Sequence, residues 1–411
     1  MKRLALLFLS MSVLLGCGQA NTGKTQEDNV DILQEEKVTF ENLNYTEYVE
    51  VTDIKRDVTK LNKKYKNYFE KFIQYQAPNG KYINIIAQDK VSDEQLLKAY
   101  NVLSFYLTSH KYDMSEVANK LADNRAVLMM PNGADGDVKL KENVFTGQPL
   151  YQMETPVTGD SWYLKNDYEH RDASYEEIFH LVHDYGIGTS SNPGALGEVT
   201  ATIKSAMNKA LPKEKKEWGK SGLWGYDSKD WLNELSAEGS LEQEYIVSVI
   251  DSYYGLWEAF EGDKGMWGIY IAKNRQAIMD RDPEGYKALT SFLPEYFTYM
   301  DRISPDFNGT FNMSLTDELY TKKSQYILNA RLTGSVNSNL TGNDKNNILI
   351  GNSGNNVIDG KEGVDVVQFS GMSSEYEING NEIKDLKNRD GVDTLQNIEI
   401  IRFTDKDVQF E

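Results

Sequence analysis

The chain has 411 residues, 40% of them hydrophobic and 26% charged, which is enough for a large core and more than one domain. Its 63 acidic and 44 basic side chains leave a net charge of −19, which excludes nucleic acid as the main partner, because phosphate binding needs a basic surface. One cysteine excludes a disulfide framework and a thiolate zinc cluster, and four histidines exclude a histidine-rich metal store.

Lys2 and Arg3 precede an apolar run, Leu4 to Leu15, broken only by Ser10 and Ser12. The run is too short to span a bilayer as a helix but suits a signal-peptide core. It ends in Leu14-Leu15-Gly16-Cys17, which resembles the lipobox of bacterial lipoproteins. That resemblance implies cleavage after residue 16, lipidation of Cys17 and attachment to a membrane through the acyl chains. It implies a lipid-anchored place in the cell envelope, and Gly18, where the family's inner-membrane retention signal has aspartate, points toward the outer membrane or cell surface. Residues 17–47 are polar and proline-free, without a sustained apolar period, and read as a flexible tether.

Residues 48–331 read as one mixed domain. Tyr82 to Ala87 predicts a strand. Ser92-Asp93-Glu94-Gln95 predicts a capped start for a helix carrying Leu96, Leu97, Tyr100, Leu103 and Leu107. Ala126 to Met130 predicts a second strand, closed by Pro131-Asn132-Gly133. Helices are expected around 174–185, 197–210, 241–260, 266–278 and 283–300. No Walker loop, dinucleotide fingerprint or G-x-S-x-G appears. Ser190 to Gly197 reads as a loop near the histidine segment, able to line a cleft, and Trp218, Trp224 and Trp231 read as packing residues.

Three of the four histidines are His170, His180 and His183. His170, among Glu169, Arg171 and Asp172, reads as a loop residue. In Ser174 to Gly186, helical spacing puts Glu176, His180 and His183 on one stripe, with Glu177 beside it. Taken alone, Ser174 and Glu177 also satisfy a capping box, and Glu176 suits a helix N-terminus without any metal. The segment resembles the zinc-metallopeptidase helix H-E-x-x-H, with Glu176 where the first histidine stands. The resemblance implies that Glu176 and His180 ligate zinc and that Glu177 is the general base toward a polypeptide substrate. It also implies a third ligand from a later helix. Glu244 is favoured, and Asp251 and His183 are the alternatives. The missing first histidine leaves an inactive, zincin-like scaffold as the rival expectation, with an interaction or adhesion role toward a surface partner.

After Arg331 the composition shifts to Gly, Asn and Asp, so residues 332–411 read as a second domain. Apolar residues recur every ninth position at Leu340, Leu349, Ile358 and Val367, with Gly342, Gly351 and Gly360, and Asn347, Asn356 and Asp365, in step. The stretch resembles the hemolysin-type (RTX) repeats, which implies a parallel β-roll followed by a β-rich tail, with calcium held in the turns. Gly342, Asp344, Asn347, Gly360, Gly363 and Asp365 are the candidate calcium residues. Asparagine at two of the three aspartate positions implies weak affinity. The expected fold is therefore α+β: a mostly helical zincin-like domain, then the roll and tail.

Overall fold

In this computed structural model residues 49–135, 137 and 147–410 are described; the leader and the whole 17–47 tether, Cys17 included, lie outside them. The described residues form one compact unit. Its class is mixed α and β, with ten α-helices and three sheets among the described residues.

The first sheet has the order β1-β2-β3-β4, built from β1 (Lys71–Gln76), β2 (Tyr82–Ala87), β3 (Val127–Met130) and β4 (Gln148–Pro149). β1 and β2 are antiparallel, and β2, β3 and β4 run parallel. Between β2 and β3 lie α1 (Asp93–Leu107) and α2 (Ser115–Asp123). α1 starts where the sequence places it. Ser92 Oγ accepts from Gln95 N at 3.1 Å, and Gln95 Oε1 accepts from Ser92 N at 2.8 Å.

Helices follow: α3 (Ser161–Lys165), α4 (Ser174–Val182), α5 (Gly197–Ala210), α6 (Lys229–Glu238), α7 (Leu241–Tyr253), α8 (Arg275–Arg281) and α9 (Pro283–Thr290). Three expected helices differ. α7 stops at Tyr253, ahead of Gly255 at φ 72°, where any Cβ would meet the Lys322 carbonyl at 2.2 Å. No α-helix begins at 266, because Met266 and Trp267 stand at φ 49° and 52°. The expected helix over 283–300 splits: α9 ends at Thr290, and Phe297–Ile303 is a strand, β5. Its seven residues carry apolar side chains at Phe297, Tyr299, Met300 and Ile303, a pattern that suits either element, and pairing with a distant strand decides the outcome.

The remaining elements are β6 (Thr310–Asn312), α10 (Thr321–Ser324), β7 (Ile327–Leu332), β8 (Asn339–Thr341), β9 (Ile348–Ile350), β10 (Val357–Asp359), β11 (Val366–Gln368), β12 (Tyr376–Asn379), β13 (Glu382–Asp385), β14 (Val392–Gln396), β15 (Ile400–Arg402) and β16 (Asp407–Gln409). They form two six-stranded sheets, ordered β12-β13-β14-β10-β8-β6 and β16-β15-β11-β9-β7-β5. The three-residue repeat strands pair in parallel with strands two repeats away, Leu340 with Ile358 and Leu349 with Val367. All four of these side chains are buried, as their nine-residue period requires. The expected boundary at 331/332 falls inside a continuous sheet: β7 pairs in parallel with β5 on one side and with β9 on the other. One apolar cluster extends from Ile54 to Phe403.

Candidate metal centre

The site begins with Asp172, which ties down the chain before α4. Its Oδ1 accepts from Ser174 N at 3.0 Å and from Ser174 Oγ at 2.6 Å, and its other oxygen pairs with the buried Lys98. Ala173 is the N-cap, and Ser174 spends its hydroxyl on Asp172. Glu177 therefore closes no capping box with Ser174.

All nine residues of α4 are buried, including Glu176, Glu177 and His180. α4 packs against α1 and α7, which leaves its polar side chains facing protein rather than water. Glu176 and His180 sit one helical turn apart, with His180 Nε2 3.9 Å from Glu176 Oε1. Glu244, from the first turn of α7, brings its Oε1 to 3.4 Å from His180 Nε2. One ligand atom from each of the three residues lies within 4.8 Å of the others. Zinc bonds of roughly 2.1 Å in a tetrahedron give ligand–ligand edges of about 3.4 Å, so the His180–Glu244 pair is already at ligating separation. The donor set of one imidazole and two carboxylates suits zinc.

Around these three lies a second layer. Arg171 pairs through one terminal nitrogen with Glu176 Oε2, and its other terminal nitrogen lies 3.9 Å from Asp251 Oδ2. Asp251 Oδ2 also accepts from Trp257 Nε1 at 3.2 Å. Burial pushes the Asp251 carboxyl up to about 7, against the opposing pull of Arg171. Asp251 is thus engaged with Arg171 and Trp257 rather than grouped with His180. His183 is fully buried, with its ring 5.4 Å from that of Phe179. Burial, helped by His180, lowers it to about 3, so it is neutral. It does not join the converging group. A π-helical turn, His183–Ile187, extends α4, and it ends at Gly188, φ 100°, where a Cβ would lie 2.0 Å from Gly194 N.

Glu177 accepts from Gln148 Nε2 of β4 at 2.5 Å. Neither Gln148 nor Arg171 stands out in the sequence: Gln148 carries no pattern, and Arg171 lies in a charged run that reads as a loop. His170 ends a short turn, half exposed, with Nδ1 3.0 Å from Asp167 Oδ2; with Glu169 these make a second, solvent-facing group. Ser190 borders the N-terminus of α7, donating its hydroxyl to Glu242 at 2.5 Å and its N–H at 3.2 Å. Trp224 is fully buried, and its indole N–H donates to Ser248 Oγ at 3.0 Å, a packing role.

In the repeats, Asn347 and Asp365 lie close together, while Asp344 is exposed and pairs with Lys345 at 3.2 Å. Asp365 Oδ1 accepts from Asn347 N at 2.7 Å, and Asn347 Oδ1 accepts from Asn343 N at 2.8 Å. A parallel chain joins Asp393, Asn356 and Asn352 at 2.8 and 2.9 Å. Gly342 and Gly360 are required by closeness. A Cβ on Gly342 would meet Asn347 Oδ1 at 2.3 Å, and one on Gly360 would meet the Asn397 carbonyl at 2.2 Å. Gly363 turns the chain at φ 130°.

The chain matches no family model, no curated protein and no solved structure. Among the described residues no helix is long and apolar enough to cross a membrane.

Proposed function

We propose that Glu176, His180 and Glu244 hold a divalent cation of the zinc type, and that this zincin-like centre hydrolyses peptide bonds. The observation that carries the reading is the convergence of two carboxylates and one imidazole from α4 and α7 within 4.8 Å. A cation there supplies Lewis acidity to a water and to the scissile carbonyl. Glu177, adjacent in sequence to Glu176 and held by Gln148, takes the proton from the attacking water and returns it to the leaving amine. Burial of α4 excludes bulk water, which strengthens these electrostatic effects.

The test is metal analysis of the purified protein followed by peptidase assay of Glu177→Gln. We expect about one zinc per chain in both proteins, and an activity loss on the order of 10²–10⁴-fold in the variant. Full activity in the variant would remove Glu177 from the mechanism. Failure of the folded protein to take up zinc would remove the centre.

One observation favours a second reading. The Arg171 guanidinium already supplies a counter-charge to Glu176, as a metal-free ion-pair network in an inactive scaffold would need. On that reading the chain is a calcium-binding interaction module, and the RTX-type roll is its working part. The parallel pairing of strands two repeats apart supports such a roll. Zinc uptake separates the two.

A further inference from the structure

Arg171 is buried in the loop before α4 and is bracketed on three sides. One terminal nitrogen contacts Glu176 Oε2, the other faces Asp251 at 3.9 Å, and the guanidinium carbon lies 4.8 Å from the centre of the Trp267 ring. The Trp267 ring also packs edge-on against Trp257, 4.8 Å away, and Trp257 in turn bonds Asp251. Trp267 is 44% exposed, and it follows Met266 in a pair of consecutive left-handed residues. Left-handed backbone is disfavoured for such residues, so the surrounding packing holds the indole over the guanidinium against a backbone preference.

We infer that Arg171 is a positioning residue that selects the cation, by fixing Glu176 as a one-oxygen ligand. The inference rests on the metal-site reading above. With Oε2 tied to Arg171, Glu176 turns only Oε1 toward His180. A single carboxylate oxygen beside an imidazole fits a small four-coordinate ion. Calcium needs about six to eight oxygens, often with two from one carboxylate, and the clamp withholds the second. The guanidinium also offsets part of the ligands' negative charge, so a bound cation remains a stronger Lewis acid. A lysine cannot reproduce this, because its single ammonium lacks the planar fork that spans Glu176 and Asp251.

The experiment uses the full chain stripped of metal, titrated separately with zinc, cobalt and calcium. Wild type is expected to bind zinc far more tightly than calcium and to give the intense visible absorption of four-coordinate cobalt. Arg171→Lys keeps a buried cation. It should lose about 10–100-fold in zinc affinity, with weaker cobalt absorption as Glu176 turns two oxygens to the ion. Trp267→Ala leaves the ion pair intact and should shift both readouts in the same direction by a smaller amount. Wild-type zinc affinity and an unchanged cobalt spectrum in folded Arg171→Lys would overturn the clamp. If that variant does not fold, an unchanged spectrum in Trp267→Ala would overturn it. A wild type that binds no zinc defeats the site itself.

Discussion

Asp172 shows how much one buried carboxylate can organise. It fixes the first turn of α4 through Ser174 and pairs with Lys98, which is 3% exposed, donates to the Pro156 carbonyl at 2.6 Å and Tyr163 Oη at 3.3 Å, lies over the Tyr163 and Tyr175 rings, and also acts through its charge on the buried Asp301. Asp172→Asn keeps the shape and an acceptor for Ser174 but removes the carboxylate paired directly with the ammonium, leaving Asp301 to counter that charge without an ion-pair contact. Breaking a buried pair in this way costs about 3–5 kcal/mol. The urea midpoint should fall accordingly, and zinc uptake should weaken as the start of α4 loosens; an unchanged midpoint would mean that the neutral acceptors and Asp301 together satisfy Lys98. The sequence made Glu176 and His180 recognisable, since a one-turn spacing needs only local geometry. It gave no hint of Arg171 as their partner, or of Lys98 as the partner of Asp172. Those contacts arise when a loop and a distant helix meet in the fold, and no periodicity encodes them.

The repeat strands were readable for the opposite reason: their spacing is the structure. What the spacing left open is how each stack of side chains ends. Along each chain of Asn side chains the last acceptor is an aspartate, Asp365 or Asp393. In both, Oδ1 takes a backbone N–H, and Oδ2 is buried without a hydrogen-bond partner among the described residues. Burial raises both carboxyls from 3.8 to about 8. A raised folded-state value means that the native state keeps a proton the unfolded chain has released. The stability so gained is complete below about pH 4 and is lost as pH climbs through about 8. Asparagine already fills the equivalent positions, 347 and 356, where its Nδ2 finds a carbonyl. For Asp365 the Asn397 carbonyl is close by: it and Oδ2 lie 2.2 and 2.4 Å from the point a Gly360 Cβ would occupy. The double variant Asp365→Asn, Asp393→Asn should therefore flatten the decline in thermal midpoint between pH 5 and 8. At pH 8 it should melt higher, by about 2–4 °C for each kcal/mol recovered. The same melts repeated in millimolar calcium carry a second outcome. A calcium-dependent rise in wild type that vanishes in the variant would assign these carboxylates to the ion.

The continuity of β5, β7, β9, β11 and β15 in one sheet makes a claim about the molecule as a unit. A composition change at residue 332 marks where the repeats begin, yet on the side away from the later repeats the first repeat strands, β8 and β9, pair with β6 and β7, which precede the repeats and carry none. Composition is a local property and cannot register a pairing such as Ala330 with Leu349. If the sheet couples the two halves, they unfold together. All six tryptophans lie between Trp162 and Trp267, so indole fluorescence reports only on the helical half, while far-UV circular dichroism also sees the repeat strands. In urea the two signals should give one midpoint. A substitution confined to the repeats offers the sharper test. Asp365→Asn at pH 8 should move the fluorescence midpoint as far as the dichroism midpoint, although no tryptophan lies within the repeats. Two separated transitions, or a fluorescence curve blind to position 365, would mean that β7 and β9 meet as neighbours without sharing a cooperative core, and that residues 332–411 behave as the separate domain their composition suggests.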